Sequence, residues 1–108
     1  MKKSKTYLMT CPIAGLQYYD VLEVWGELKT GLELSIEPEL DNKFDRHALA
    51  VKWKDAKIGY IPRGENRHMA KILKAGWMPY QVLIESIYED RPMNERIEIC
   101  IRILEKEK

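Results

Sequence analysis

At 108 residues the chain can bury one modest core but has no room for a separate catalytic lobe. Its 45% hydrophobic and 32% charged residues are those of an ordinary globule, and no apolar run approaches the roughly 18 residues of a membrane-spanning helix, so no membrane contact is expected. Eighteen Lys and Arg against 17 Asp and Glu leave a net charge of +1, so any nucleic-acid site must be a local basic and aromatic groove on a neutral body.

Residues 1–5 read as a basic tail. The segment from Thr6 onward is mixed in character and broken by Pro12 rather than a continuous apolar signal, so a cytoplasmic location is expected. Thr6 to Ala14, with Tyr7, Leu8, Met9, Thr10 and Ile13, predicts a first strand closed by Gly15. In Asp20 to Leu28 the apolar residues Val21, Leu22, Trp25 and Leu28 fall at helical spacing, and Asp20 with Glu23 forms a capping-box pattern; a short helix of about two turns is predicted. From Gly31 the residues Leu32, Leu34 and Ile36 alternate with Glu33, Ser35 and Glu37 up to Pro38, the pattern of a half-buried strand. After a polar stretch, Ala48 to Trp53 and Ile58 to Ile61 flank Lys54 to Lys57 as a β-hairpin. Met69, Ala70, Ile72 and Leu73 make an apolar stripe ended by Gly76, predicting a helix over 65–75. Tyr80 to Tyr88 is extended, and Ile97, Ile99, Ile101 and Ile103 alternate with Glu98, Cys100 and Arg102 as the cleanest strand of the chain. Residues 105–108 are a charged tail.

These elements predict a mainly β fold with two short helices, curled into a small OB-like β-barrel of about six strands, because closure hides edges that a short open sheet leaves sticky. One domain over 6–104 is expected, with Leu32, Leu34, Ile36, Val51, Ile99 and Ile101 buried together. Cys11 and Cys100 have no metal-ligand spacing and read as free, buried thiols.

Enzymatic signals are weak. Ser4, Ser35 and Ser86 lie in no nucleophile elbow, and His47 and His68 sit among Arg, Lys and Asn rather than in a ligand pattern. There is no phosphate-cradling glycine loop, and no spacing singles out a metal-nuclease set around Asp41 and Asp45. The expectation is a non-enzymatic binding module without a cofactor.

Three local patterns stand out. Ile13-Ala14-Gly15-Leu16-Gln17-Tyr18-Tyr19 runs a strand through a glycine turn into paired aromatics. Asp41-Asn42-Lys43-Phe44-Asp45-Arg46-His47-Ala48-Leu49-Ala50-Val51 is a polar loop carrying one ring and feeding a strand, and Ile58-Gly59-Tyr60-Ile61-Pro62-Arg63 is a strand ending in a basic residue before a helix. In this order and spacing, from Tyr7 to Leu104, they resemble the HIRAN family. That family shows a Gly-x-x-Tyr-Tyr turn, an Asn-x-aromatic-Asp loop and Gly-Tyr-Ile-Pro before a helix.

The resemblance implies an OB-like barrel that grips the 3′-hydroxyl end of single-stranded DNA. The module often fronts Swi/Snf-type DNA translocases and also occurs alone in bacteria and phages, so this chain resembles the free-standing kind, with a DNA-processing protein as its expected protein partner. By position, Tyr18 and Phe44 fall where rings stack on terminal bases, and Asp45 falls where a carboxylate accepts from the terminal hydroxyl. Asn42 is the loop asparagine and Arg63 a basic residue near the phosphates. The chain departs from end-binding members by carrying Gln17 where arginine is common and Lys43 where proline is common. Gln17 still donates a hydrogen bond to a phosphate, and Lys43, Arg63 and Arg67 can supply the missing charge. Asn42 and Asp45 have a plain reading as turn-holding residues. Tyr19, Tyr60, Trp25, Trp53 and Trp77 are assigned to packing. The alternative function is a protein-interaction or regulatory adaptor using the same barrel face or a sheet edge.

Overall fold

The computed structural model describes residues 5–105; the remainder of both expected tails, 1–4 and 106–108, lies outside the described residues. Six antiparallel strands form one sheet: β1 (Lys5–Pro12), β2 (Glu33–Pro38), β3 (Leu49–Trp53), β4 (Ala56–Tyr60), β5 (Tyr80–Ile87) and β6 (Ile97–Leu104). Helix α1 (Val21–Val24) comes after β1, and α2 (Arg63–Lys74) after β4. Lys5 already pairs with Leu104, so the first strand begins inside the expected tail.

The strands are ordered β1-β6-β5-β2-β3-β4. Irregularities in the ladders at Tyr7/Met9, Val51/Lys52 and Ile84/Ser86 fit bulges, which bend and twist a sheet. The edge strands β1 and β4 share no ladder, so the sheet is not closed along its length. They meet at one point beyond the end of β1, where Ala14 N donates to Tyr60 O (2.8 Å) and Tyr60 N to Ala14 O (2.9 Å). Ile13 N, next to it, donates to Ile97 O of β6 (3.1 Å). A single bridge thus completes a barrel-like ring of strands.

That bridge explains Gly59. A β-carbon there would stand 2.5 Å from the Ala14 carbonyl oxygen and 2.5 Å from Ile13 Cγ2, so only glycine lets the two edges approach.

Inside the ring, the alternation of β6 buries Ile97, Ile99 and Ile101, which pack with Leu34, Ile36, Val51, Val82 and Ile84. Each such side chain contributes roughly 1.5–3 kcal/mol when withdrawn from water. Leu32, expected in this group, is only half-buried and packs at its margin. Met69 and Ala70 carry the apolar stripe of α2 into the same core, and Gly76 ends the helix with φ 94°, the left-handed cap its position predicts. Cys11 and Cys100 are buried, free thiols.

The first helix departs from expectation. It runs for 4 residues and tightens into a 3-10 turn at Trp25–Glu27, and the Asp20 side chain makes no cap bond. Leu22 is consequently 73% exposed, because so short a helix turns only Val21 fully inward. Trp25 and Trp53 do pack on the core, but Trp77, also assigned to packing, is 64% exposed just past α2.

Candidate nucleic-acid interface

Where β1 meets β4, the turn 15–19, the loop 42–48 and the residues leading into α2 surround a pocket of about 270 Å3. Ala14 and Tyr60, the residues of the closing bridge, are part of its wall. Pockets for drug-sized ligands occupy roughly 300–1,000 Å3, so this one suits something about the size of a single nucleoside.

Two rings at the pocket stand out into solvent. Tyr18 is 75% exposed at the end of a 3-10 turn, Leu16–Tyr18, that buries Leu16 as an anchor. Gly15 starts this turn with φ 76°, a left-handed conformation that a residue with a side chain rarely adopts. Phe44 is 89% exposed, an apolar ring forgoing the stabilisation of burial. It is held there by Asn42, whose Oδ1 accepts from the Phe44 and Asp45 amides, both at 2.9 Å, while its Nδ2 donates to Glu39 Oε1 (3.1 Å).

Asp45 lines the same pocket and is tied to α2. Its Oδ1 accepts from the His47 amide (2.9 Å) and its Oδ2 from Asn66 Nδ2 (2.9 Å), and Arg63 Nε stands 3.6 Å from Oδ2. Burial pushes its pKa up, but the His47 amide, Asn66 and the Arg63 guanidinium outweigh that and hold it below the usual value, so the group is ionised at neutral pH. A carboxylate has about four acceptor positions, and two hydrogen bonds leave room for an incoming donor. Arg63 also donates from Nη2 to the Phe44 carbonyl, which ties the start of α2 to the loop.

A second cluster pins the loop from behind. Tyr60 OH donates to Glu39 Oε1 (2.5 Å), and Lys57 Nζ reaches Glu39 Oε2 (2.9 Å) and Tyr60 OH (3.0 Å). The same ammonium lies 4.7 Å from the Tyr19 ring centre and 5.0 Å from that of Tyr60, and the two rings meet edge-on at 5.3 Å. Burial and the bond to the Glu39 carboxylate push the Tyr60 hydroxyl up to about 12, against an opposing pull from Lys57. The unfolded phenol ionises near 10.0, so this contribution to stability is complete below that pH and is lost as pH rises through about 12. Tyrosinate absorbance should show a late-ionising group in the native protein that is absent from Tyr60→Phe.

Of the residues singled out in the sequence, Tyr18, Asn42, Phe44, Asp45 and Arg63 line the pocket together. Gln17, Lys43 and Arg67 do not; they are exposed beside it, on the turn, on the loop and one helical turn beyond Arg63. Asn42 acts through the loop, because both its side-chain ends are committed to protein partners. Tyr19 and Tyr60, assigned to packing, are half-buried and line the pocket. Asn66 has no signal in the sequence reading: it is 3% exposed, and on an amphipathic helix only an unusually buried polar position would mark it. Among the described residues no cluster of His, Cys, Asp and Glu could hold a metal ion. Nor is any helix among them long and apolar enough to cross a membrane.

Fold and site thus define a small antiparallel β module, barrel-like, with a ring-flanked acidic and basic pocket at its seam. The HIRAN domain model matches residues 7–102, and the chain belongs to that family, whose domains are nucleic-acid-binding modules. Its fold is similar to that of a structural-genomics protein from Lactobacillus plantarum, at 22% identity and a TM-score of 0.80, covering 97% of this chain and 100% of that one. It is also similar to the HIRAN domain of human HLTF, at 13% identity and a TM-score of 0.71, covering 95% of this chain and 81% of that one. No curated protein matches the sequence significantly.

Proposed function

We propose that the pocket takes the 3′-hydroxyl end of a single DNA strand, with Tyr18 and Phe44 stacking on the last bases and Asp45 accepting from the terminal hydroxyl. The observation that carries this reading is the pair of solvent-facing rings beside an ionised carboxylate that keeps acceptor capacity. Base-tolerant stacking needs such rings, and a carboxylate favours a hydroxyl donor over a terminal phosphate, which repels it and offers no equivalent donor at neutral pH. Arg63, with its side chain largely exposed, supplies positive charge for the adjacent phosphate.

The test is a titration of short labelled single strands ending in 3′-hydroxyl or 3′-phosphate. The hydroxyl strand should bind at least about tenfold more tightly, about 1.4 kcal/mol, from the nearly two negative charges that the phosphate sets against Asp45. Asp45→Asn, which keeps an acceptor oxygen for the His47 amide but removes the charge, should narrow that ratio severalfold. Equal binding of hydroxyl, phosphate and circular strands would overturn end recognition, and no binding to any strand would favour the protein-interaction reading.

A further inference from the structure

A net charge of +1 conceals a strong asymmetry on α2. Arg63, Arg67, Lys71 and Lys74 recur at helical spacing, which places them within a strip about 80° wide and about 16 Å long on a helix of 3.6 residues per turn. All of them are exposed. The one acidic residue of α2, Glu65, falls on the far side of the helix from this strip, at about 160° from its middle.

The strip is joined to the pocket at both ends of the same loop segment. Arg63 donates to the Phe44 carbonyl, and Lys74 Nζ donates to the Arg46 carbonyl (2.5 Å). His47, next along the loop, feels the same cations: burial lowers its pKa first, and the positive charges of Arg46, Lys74 and Arg67 lower it further, against Asp45. Among the described residues only Arg63 of these cations stands in an ion pair, with Asp45. Like charges gathered on one face favour an anionic partner, and the phosphodiester backbone of a nucleic-acid strand presents its charges in such a row.

We infer that this strip, Arg67, Lys71 and Lys74 of α2 with Arg46 of the loop, carries the interior phosphates of the strand whose 3′ end enters the pocket. The inference rests on the proposed function for the end of the strand and extends the interface beyond it. Arg63 stands at the junction, and the strip offsets the charge that Gln17 lacks. Its length matches about five phosphates at the 3.4 Å spacing of one strand in B-form geometry, and fewer in a more extended strand.

The experiment compares 3′-hydroxyl oligothymidylates of about three and about twelve nucleotides over a range of salt, since each neutralised phosphate adds about 0.7 to the log-log salt slope on single strands. In the wild-type protein the long strand should bind at least about tenfold more tightly at low salt, with a slope steeper by about 2. Arg46→Gln, Lys71→Gln and Lys74→Gln together should remove most of that difference, leave affinity for the short strand within about twofold, and lower thermal stability by no more than the loss of the one exposed bond from Lys74 to the Arg46 carbonyl, which Lys74→Gln alone measures. Equal affinity for both lengths with the hydroxyl preference intact overturns the strip and leaves the pocket standing. Length dependence that survives in the triple variant also overturns it. Length dependence lost in that variant, without any hydroxyl preference in the wild type, supports the strip and overturns the pocket reading.

Discussion

Replacing Gly59 by alanine is expected to lower folding stability by about 3 kcal/mol, the upper range for forcing atoms into a packed interior. The new β-carbon would fall 2.5 Å from Ala14 O and from Ile13 Cγ2, and the first of these is backbone, which cannot swing away. Relief requires opening the Ala14–Tyr60 bridge, whose two hydrogen bonds are the only backbone hydrogen bonds joining the path of β1 to β4 among the described residues, apart from side-chain packing across the seam. In urea the midpoint should fall by about 1–3 M with little change in slope, as the slope of a small domain is about 1–3 kcal/mol per M. Gly26→Ala is the control, because a β-carbon there meets nothing within 4 Å. A midpoint unchanged in Gly59→Ala would mean that the seam is looser than its geometry indicates. Since Ala14 and Tyr60 also line the pocket, the variant should lose ligand affinity even where it remains folded.

The seam shows which parts of this protein are legible in a linear sequence. The alternation of Ile97, Ile99 and Ile101, the stripe of α2 and its terminal Gly76 are local patterns, and the structure contains them where the pattern puts them. The capping pattern of Asp20 and Glu23 is equally local but misleads, because the chain tightens from the α conformation into a 3-10 turn after one turn of helix, and the Asp20 side chain makes no cap bond. Gly59 reads as an ordinary hairpin glycine; the reason for it is the close approach of Ala14, far away in the chain at the end of the first strand's path. The same holds for the site. Tyr18, Phe44 and Asp45 are recognisable through motif order, whereas the hydrogen bond from Tyr60 to Glu39 spans 21 positions and that from Asn66 to Asp45 spans 21. No periodicity encodes such pairs; they exist only after the strands have paired. The cations of α2 are visible as a stripe, but the contact of Lys74 with the Arg46 carbonyl depends on where the loop docks.

The second large effect concerns the exposed rings. Tyr18→Ala and Phe44→Ala are each expected to weaken binding of a short single strand about thirtyfold, from a loss of about 2 kcal/mol per stacked base. Both losses should fall equally on strands ending in hydroxyl and phosphate, because stacking is indifferent to the terminus, and this separates them from Asp45→Asn. Neither substitution should destabilise the fold, since Tyr18 and Phe44 are 75% and 89% exposed and bury little to lose. The double variant should fall near the sum if the rings hold different bases, and well short of it if they clamp one base between them, since contacts that share a partner are not additive. Asn42→Ala supplies the remaining comparison. It leaves both rings in place chemically but removes the acceptor that fixes the Phe44 and Asp45 amides, so it should weaken binding through the loop and lower stability by about 1–2 kcal/mol. If Phe44→Ala binds as tightly as the wild type while Tyr18→Ala does not, the strand runs along the turn 15–19 alone. The exposed Phe44 would then have to be explained by a partner other than DNA.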